Sequence, residues 1–155
     1  MSISRLKEAG ALWPKRILAM DISELESLIR QSGFYRQKAG RLKILTRWYV
    51  EIAARMKVEG GPPPSREELL SLKGVGQETA DSILLYAFDS PHFVIDAYTR
   101  RFCAHYNLCL PGRYDDYKAL FESRLPKSVP LYKEYHALIV EWGKRNRDAG
   151  RDRKT

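Results

Sequence analysis

The stretch that decides the fold is "LKGVGQETADSILLYAF", Leu72–Phe88, in a chain of 155 residues. Gly74 and Gly76 stand two apart, and the sequence turns helical straight after them. Glycine has no Cβ, so it takes positive φ at no steric cost and lets another group approach the backbone. From Gln77 on, Ala80, Ile83, Leu84 and Ala87 fall at helical spacing and predict one apolar face over 77–88. Upstream, Ser65 followed by Glu68 has the pattern of a capping box and opens a short helix ending near Leu72. The stretch therefore predicts helix, glycine hairpin, helix.

The first amides of a helix have no intrahelical acceptor, and the positive end of its dipole favours anions. A phosphate is the natural guest of such a turn. Two glycines alone are equally the mark of a tight connection. No strand precedes them and no third glycine follows, so the dinucleotide fingerprint is excluded; no Gly-Lys-Ser/Thr follows, so a P-loop is excluded too.

Outward from the hairpin the signals stay helical. Asp21, with Glu24 three residues on, predicts a capped helix that Gly33 stops. A longer helix is expected from about Tyr35 to Met56, with Leu45, Trp48, Tyr49 and Ile52 on its apolar face. "EGGPPPS" breaks the chain after it. Asp96 can cap a helix through "AYTRRFCAHY". "YKALFESRL" and "LYKEYHALIVEWGKR" complete the set, with Pro126 and Pro130 flanking the break between them. The expectation is an all-α helical bundle forming a single domain over 1–155, with a basic, flexible tail at 145–155. "SISRLKEAG" reads as the end of a longer helix, so N-terminal helices are expected to be missing.

Lys and Arg number 27 against 19 Asp and Glu, a formal charge of +8. Such a balance draws polyanions, nucleic acid first, although a solvated tail accounts for part of it. No apolar run is long enough to span a membrane, so no membrane partner is expected. The two cysteines, Cys103 and Cys109, form no CxxC, and a reducing, cytoplasmic setting follows as the default, nucleoid-associated if DNA is the ligand.

"LKGVGQETADSIL", then "FVIDAYTRRF" with Asp96 twenty residues after Gly76, and "GFYRQKAGRL" upstream, together resemble the endonuclease III superfamily of helix-hairpin-helix DNA glycosylases. The resemblance runs from about Asp21 to Lys144. It implies base excision: the hairpin clamps backbone phosphates of double-stranded DNA, often through a monovalent cation, and a damaged base is flipped into a pocket. Gly74, Val75 and Gly76 match the clamp, flanked by Lys73, Gln77 and Thr79. A cation would sit at the Leu72 and Val75 backbone. Asp96 matches the catalytic aspartate. The chemistry agrees: breaking an N-glycosidic bond builds positive charge on the sugar, which a fixed carboxylate stabilises while orienting water. Capping a helix is the plainer role of Asp96, and one carboxylate can do both.

Three departures shape the reading. Bifunctional members carry a lysine where Glu78 stands, and a carboxylate forms no Schiff base, so a monofunctional enzyme is implied. An iron–sulfur cluster takes four thiolates, and the end of the chain supplies none, so no cofactor is expected. Both features resemble the cluster-free 3-methyladenine glycosylases, which points to an alkylated base. A "QNT"-type helix that lines the base pocket has no match. This leaves a non-catalytic DNA-binding module, an inactive fragment, or a helical interaction protein as alternatives. His136 reads as a core residue on an apolar helical face; Arg100 and Arg101 face phosphate or an internal acid; Lys38, Arg41 and Lys43 read as a solvated face. The chain is expected to be a monomer.

Overall fold

The computed structural model describes residues 2–59, 61–108 and 112–146. These residues are helical with no strand, and divide into two compact units, 1–75 and 76–155. Cys109 and most of the basic tail, 147–155, lie outside the described residues. Among those described, no helix is long and apolar enough to cross a membrane.

The first unit holds α1 (Ser2–Glu8), α2 (Pro14–Ala19), α3 (Ile22–Ile29), a 3₁₀ turn (Arg30–Ser32), α4 (Tyr35–Glu59) and α5 (Arg66–Leu70). Its core gathers Leu6, Ile17, Met20, Leu25, Ile29 and Ala39. The α2 helix was not foreseen. Pro14 at its first turn spends no needed N–H and presets φ, so a six-residue helix starts without a polar cap. Asp21 stands at the N-cap of α3, but its side chain accepts no capping bond, which corrects the expected box with Glu24. Gly33 ends this run at φ +67°. On α4, Trp48 and Ile52 are buried as expected while Tyr49 is exposed. Trp48 Nε1 donates to Glu68 at 3.2 Å, tying α4 to α5, and Ser65 caps α5 by accepting from Glu68 N.

The second unit holds α6 (Gln77–Ala87), α7 (Ala97–His105), α8 (Tyr114–Arg124) and α9 (Val129–Arg145). The break flanked by Pro126 and Pro130 separates α8 from α9, and Pro130 falls in the first turn of α9, behind the Ser128 cap. Helices α7 and α9 cross closely because Gly143 has no side chain: a Cβ there would lie 2.4 Å from Tyr98 Cδ1. The segment before α7 leads into the Asp96 cap. Phe93, Val94 and Ile95 are each at most 1% exposed, and burial of each contributes about 1.5–3 kcal/mol. Phe93 stacks on Phe121 at 4.3 Å and meets Tyr132 edge-on. No strand satisfies this extended backbone; side chains do. Glu122 accepts from Phe93 N at 2.8 Å, and Tyr114 Oη from Ile95 N at 3.2 Å. Glu122 in turn pairs with Lys118 at 2.7 Å, and Lys118 with the fully buried Asp81 at 3.3 Å. Asp81 thus belongs to the buried face of α6, which is rotated from the predicted one: Ala80, Asp81, Leu84 and Leu85 are inside, while Ala87 is exposed.

Candidate active site

Asp96 follows the three anchored residues and caps α7. Its Oδ1 accepts from Thr99 N at 2.8 Å and from Thr99 Oγ1 at 3.0 Å. Its Oδ2 faces His136 Nε2 at 3.4 Å, and the side chain keeps 16% of its surface accessible. The capping role and a free-facing oxygen therefore coexist, although the second oxygen meets a histidine before it meets anything else. His136, on α9, is buried as expected for a core residue, but its other nitrogen contacts Tyr86 Oη at 2.7 Å. Asp96, His136 and Tyr86 form a line from the cap of α7 to the half-exposed face of α6. Tyr86 Oη and Nδ1 share a hydrogen bond whose direction follows the imidazole tautomer, while Nε2 lies close to Asp96 Oδ2 without hydrogen-bond geometry. Nothing in the sequence marked His136 for this; helical periodicity gives its face, not its partner.

Electrostatics separate the two carboxylates of the region. Burial raises the Asp96 carboxyl, but hydrogen bonds from His136 and the Thr99 amide, with the His136 charge and the Thr99 hydroxyl, outweigh it, and the group lies below the usual aspartate range. Glu78, in the first turn of α6, moves the other way: burial raises it first, the Asp96 charge second, while His136 and Arg100 oppose. Burial and then the Asp96 charge also raise Tyr86.

The hairpin is built as the glycines required. In the first unit, Lys73 lies in the turn, Gly74 takes φ +86°, and Val75 N donates to Leu72 O at 3.0 Å. That bond uses one of the two lone pairs of the Leu72 carbonyl. In the second unit, Gly76 is the N-cap of α6 and gives no side-chain cap. The opening amides of α6 therefore have no side-chain acceptor from their own cap. Gln77 donates to Asp115 at 2.7 Å, so its amide is engaged inside the unit; Thr79 is exposed. Arg100 stacks over Tyr117 at 4.8 Å and donates to Gly112 O; Arg101 lies 5.1 Å over Tyr98. Both arginines thus hold internal partners. Phe34 was not singled out from sequence: it is 81% exposed with φ +47°, an outward aromatic on a strained backbone. Among the described residues no group of three or more His, Cys, Asp or Glu could hold a metal ion.

Comparisons with known proteins bear on the family and the fold. The profile of one family, described as HhH-GPD superfamily base excision DNA repair protein, matches residues 1–127. A protein of Methanocaldococcus jannaschii, provisionally named a DNA repair glycosylase, is 46% identical over 145 residues, covering 90% of this chain and 66% of the relative. Endonuclease III of Thermotoga maritima is 31% identical over 132 residues, 85% of this chain and 59% of that protein. The chain spans about one half to two thirds of the length of the curated relatives it matches. Among solved structures, the Helicobacter pylori 3-methyladenine DNA glycosylase bound to 1,N6-ethenoadenine superposes with TM-score 0.73 and 30% identity, over 94% of this chain and 76% of that one. A trapped endonuclease III–DNA covalent intermediate gives TM-score 0.72 and 25% identity, over 92% of this chain and 65% of that one.

Proposed function

Because the chain belongs to the HhH-GPD superfamily of base excision DNA repair proteins, we propose that it is a monofunctional DNA glycosylase that hydrolyses the N-glycosidic bond of an alkylated base in duplex DNA. The observation that carries this reading is the divided carboxylate of Asp96: Oδ1 fixed by Thr99, Oδ2 directed at His136. Ionised Asp96 stabilises the sugar cation as the C1′–N bond breaks and its electron pair leaves with the base. Water then bonds to C1′ and gives a proton to the carboxylate. An alkylated purine already carries positive charge, so it departs neutral without a strong acid. His136 orients the carboxylate and keeps it charged, and Tyr86 fixes which imidazole nitrogen bears the proton.

Glu78 supplies no amine, so the intermediate that precedes strand cleavage does not form. The two cysteines of this chain are fewer than the four thiolates of an iron–sulfur cluster, and none of the steps above uses a cofactor. The opening amides of α6 bind backbone phosphate. The target base must leave the stack before it meets Asp96. Phe34 suits a wedge: an exposed apolar ring can enter a base step and hold the helix open.

The test is release of free base from methylated duplex DNA by the wild type and Asp96→Asn. We expect a loss of about 10²–10⁴-fold, the range of a general base, with DNA affinity retained. Equal rates would remove Asp96 from the mechanism, and borohydride trapping of a covalent adduct would overturn the monofunctional assignment. DNA binding without base release by the wild type would leave a non-catalytic module.

A further inference from the structure

The basic stretch of α4 is not one solvated face. Lys38 donates to the Ser32 carbonyl, and Lys43 to the carbonyls of Leu18 and Met20. Both lysines thereby close the C-terminal ends of preceding helical segments. Arg36 and Arg41 do something else. With Gly40, Ile44, Lys73 and Gly74 they line an open groove of about 390 Å³ beside the hairpin turn, whose lining includes no carboxylate. Arg36, Arg41 and Lys73 are exposed. Arg41 reaches Gln37 Oε1 at 3.5 Å, at the limit of a hydrogen bond. Its aliphatic stem lies on Gly74: a Cβ at that glycine would come within 2.8 Å of Arg41 Cγ and Nε. Gly74 thus serves twice, once for its positive φ and once as the floor on which Arg41 lies.

We propose that Arg36, Arg41 and Lys73 form a phosphate seat within the first unit, holding a backbone phosphodiester of bound DNA. The inference rests on the DNA-binding reading above and adds a site to it. Three like charges around one groove repel until an anion enters, so the free protein holds the groove in a state that an anion stabilises. Two guanidinium forks match the oxygens of a phosphate better than lysines do. The ligand is a backbone and not a base: three cations outnumber the one amide of Gln37 in the groove, and cations on an open surface meet phosphate first.

Salt dependence tests this without any need for catalysis. Binding of an undamaged duplex oligonucleotide is followed by fluorescence anisotropy between about 50 and 200 mM salt. Each of Arg36→Gln, Arg41→Gln and Lys73→Gln is expected to lower the slope of log K against log salt by about 0.9, one phosphate contact each. Arg41→Lys should keep the slope and lose affinity. Lys15→Gln, an exposed cation on α2 outside the groove, removes the same charge and should leave the slope as it was. Unchanged slopes in the three groove variants, or an equal fall in Lys15→Gln, would overturn the seat while leaving the DNA reading intact. Failure of the wild type to bind duplex DNA would overturn both.

Discussion

Replacing His136 by phenylalanine keeps a ring of similar volume on α9 and removes both nitrogen contacts. Nε2 lies 3.4 Å from Asp96 Oδ2 and Nδ1 2.7 Å from Tyr86 Oη. Hydrogen bonds to a charged group contribute about 1.5–3 kcal/mol. At 3.4 Å and outside hydrogen-bond geometry this contact falls below that range, about 1 kcal/mol or roughly fivefold in the rate of base release. Burial, the strongest influence on Asp96, is then less opposed, and its carboxyl titrates at higher pH. The acid limb of kcat/KM against pH should move toward neutrality, with affinity for duplex DNA unchanged. His136→Gln, which keeps an N–H donor within reach of Oδ2, should recover most of the loss. The same change has a signature in stability. Asp96 has a lowered folded-state pKa, so its contribution is present above the unfolded pKa and lost as pH falls through the folded one. His136→Phe should therefore unfold at higher pH in acid titration. Glu78 has the opposite sign: its raised pKa gives a contribution present below the ordinary glutamate value and lost as pH rises through the folded one. The two carboxylates can thus be told apart by the direction of their slopes. The decisive measurement is the Asp96 carboxyl titration by ¹³C NMR in the free protein, beside single-turnover base release. If the phenylalanine variant shows the same Asp96 midpoint and the same acid limb as the wild type, the line from Tyr86 to Asp96 has no role in the chemistry.

Gly74→Ala places a Cβ at φ +86° and against the Arg41 stem, and should cost about 1–2 kcal/mol of stability in denaturant titrations while weakening DNA binding. Phe34→Gly should relieve roughly 1 kcal/mol of backbone strain at φ +47°, so its melting temperature should not fall, yet base release should drop because the wedge is gone. Lys118→Met removes the lysine 3.3 Å from the fully buried Asp81 and should destabilise by about 3–5 kcal/mol; adding Asp81→Asn should restore much of this, as a double-mutant cycle would show.

The hairpin and its neighbours were legible because their signals are local. Gly74 and Gly76 announce positive φ and an uncapped helix start, Ser65 and Asp96 announce caps, and the structure uses Gly74, Ser65 and Asp96 in those ways. Local signals failed where the physics is not local. A six-residue helix beginning at Pro14 carries too few residues for a period to emerge, and only packing of Ile17 and Met20 into the first core makes it. The face of α6 was predicted from apolar spacing alone, and Asp81 broke the pattern. A buried aspartate looks solvent-facing until its lysine, 37 residues away, is brought beside it.

The same argument explains why the cap at Asp96 was legible and its contact with His136 was not. A carboxylate that caps a helix leaves a mark in its own neighbourhood, here Thr99 three residues later. Its histidine sits 40 residues on, on a helix whose buried positions Tyr132, His136, Ile139 and Gly143 recur every three or four residues as packing requires. The extended segment Phe93–Ile95 links the two cases. Its backbone is held by Glu122 and Tyr114 instead of by a strand, so the position of Asp96 depends on a polar scaffold rooted in Asp81 and Lys118. A change at Lys118 that leaves the protein folded should therefore slow base release through misplacement of Asp96, with DNA affinity spared. Separating that loss from unfolding requires measuring both in one variant. A Lys118 variant that remained folded and released base at the wild-type rate would detach the scaffold from the chemistry.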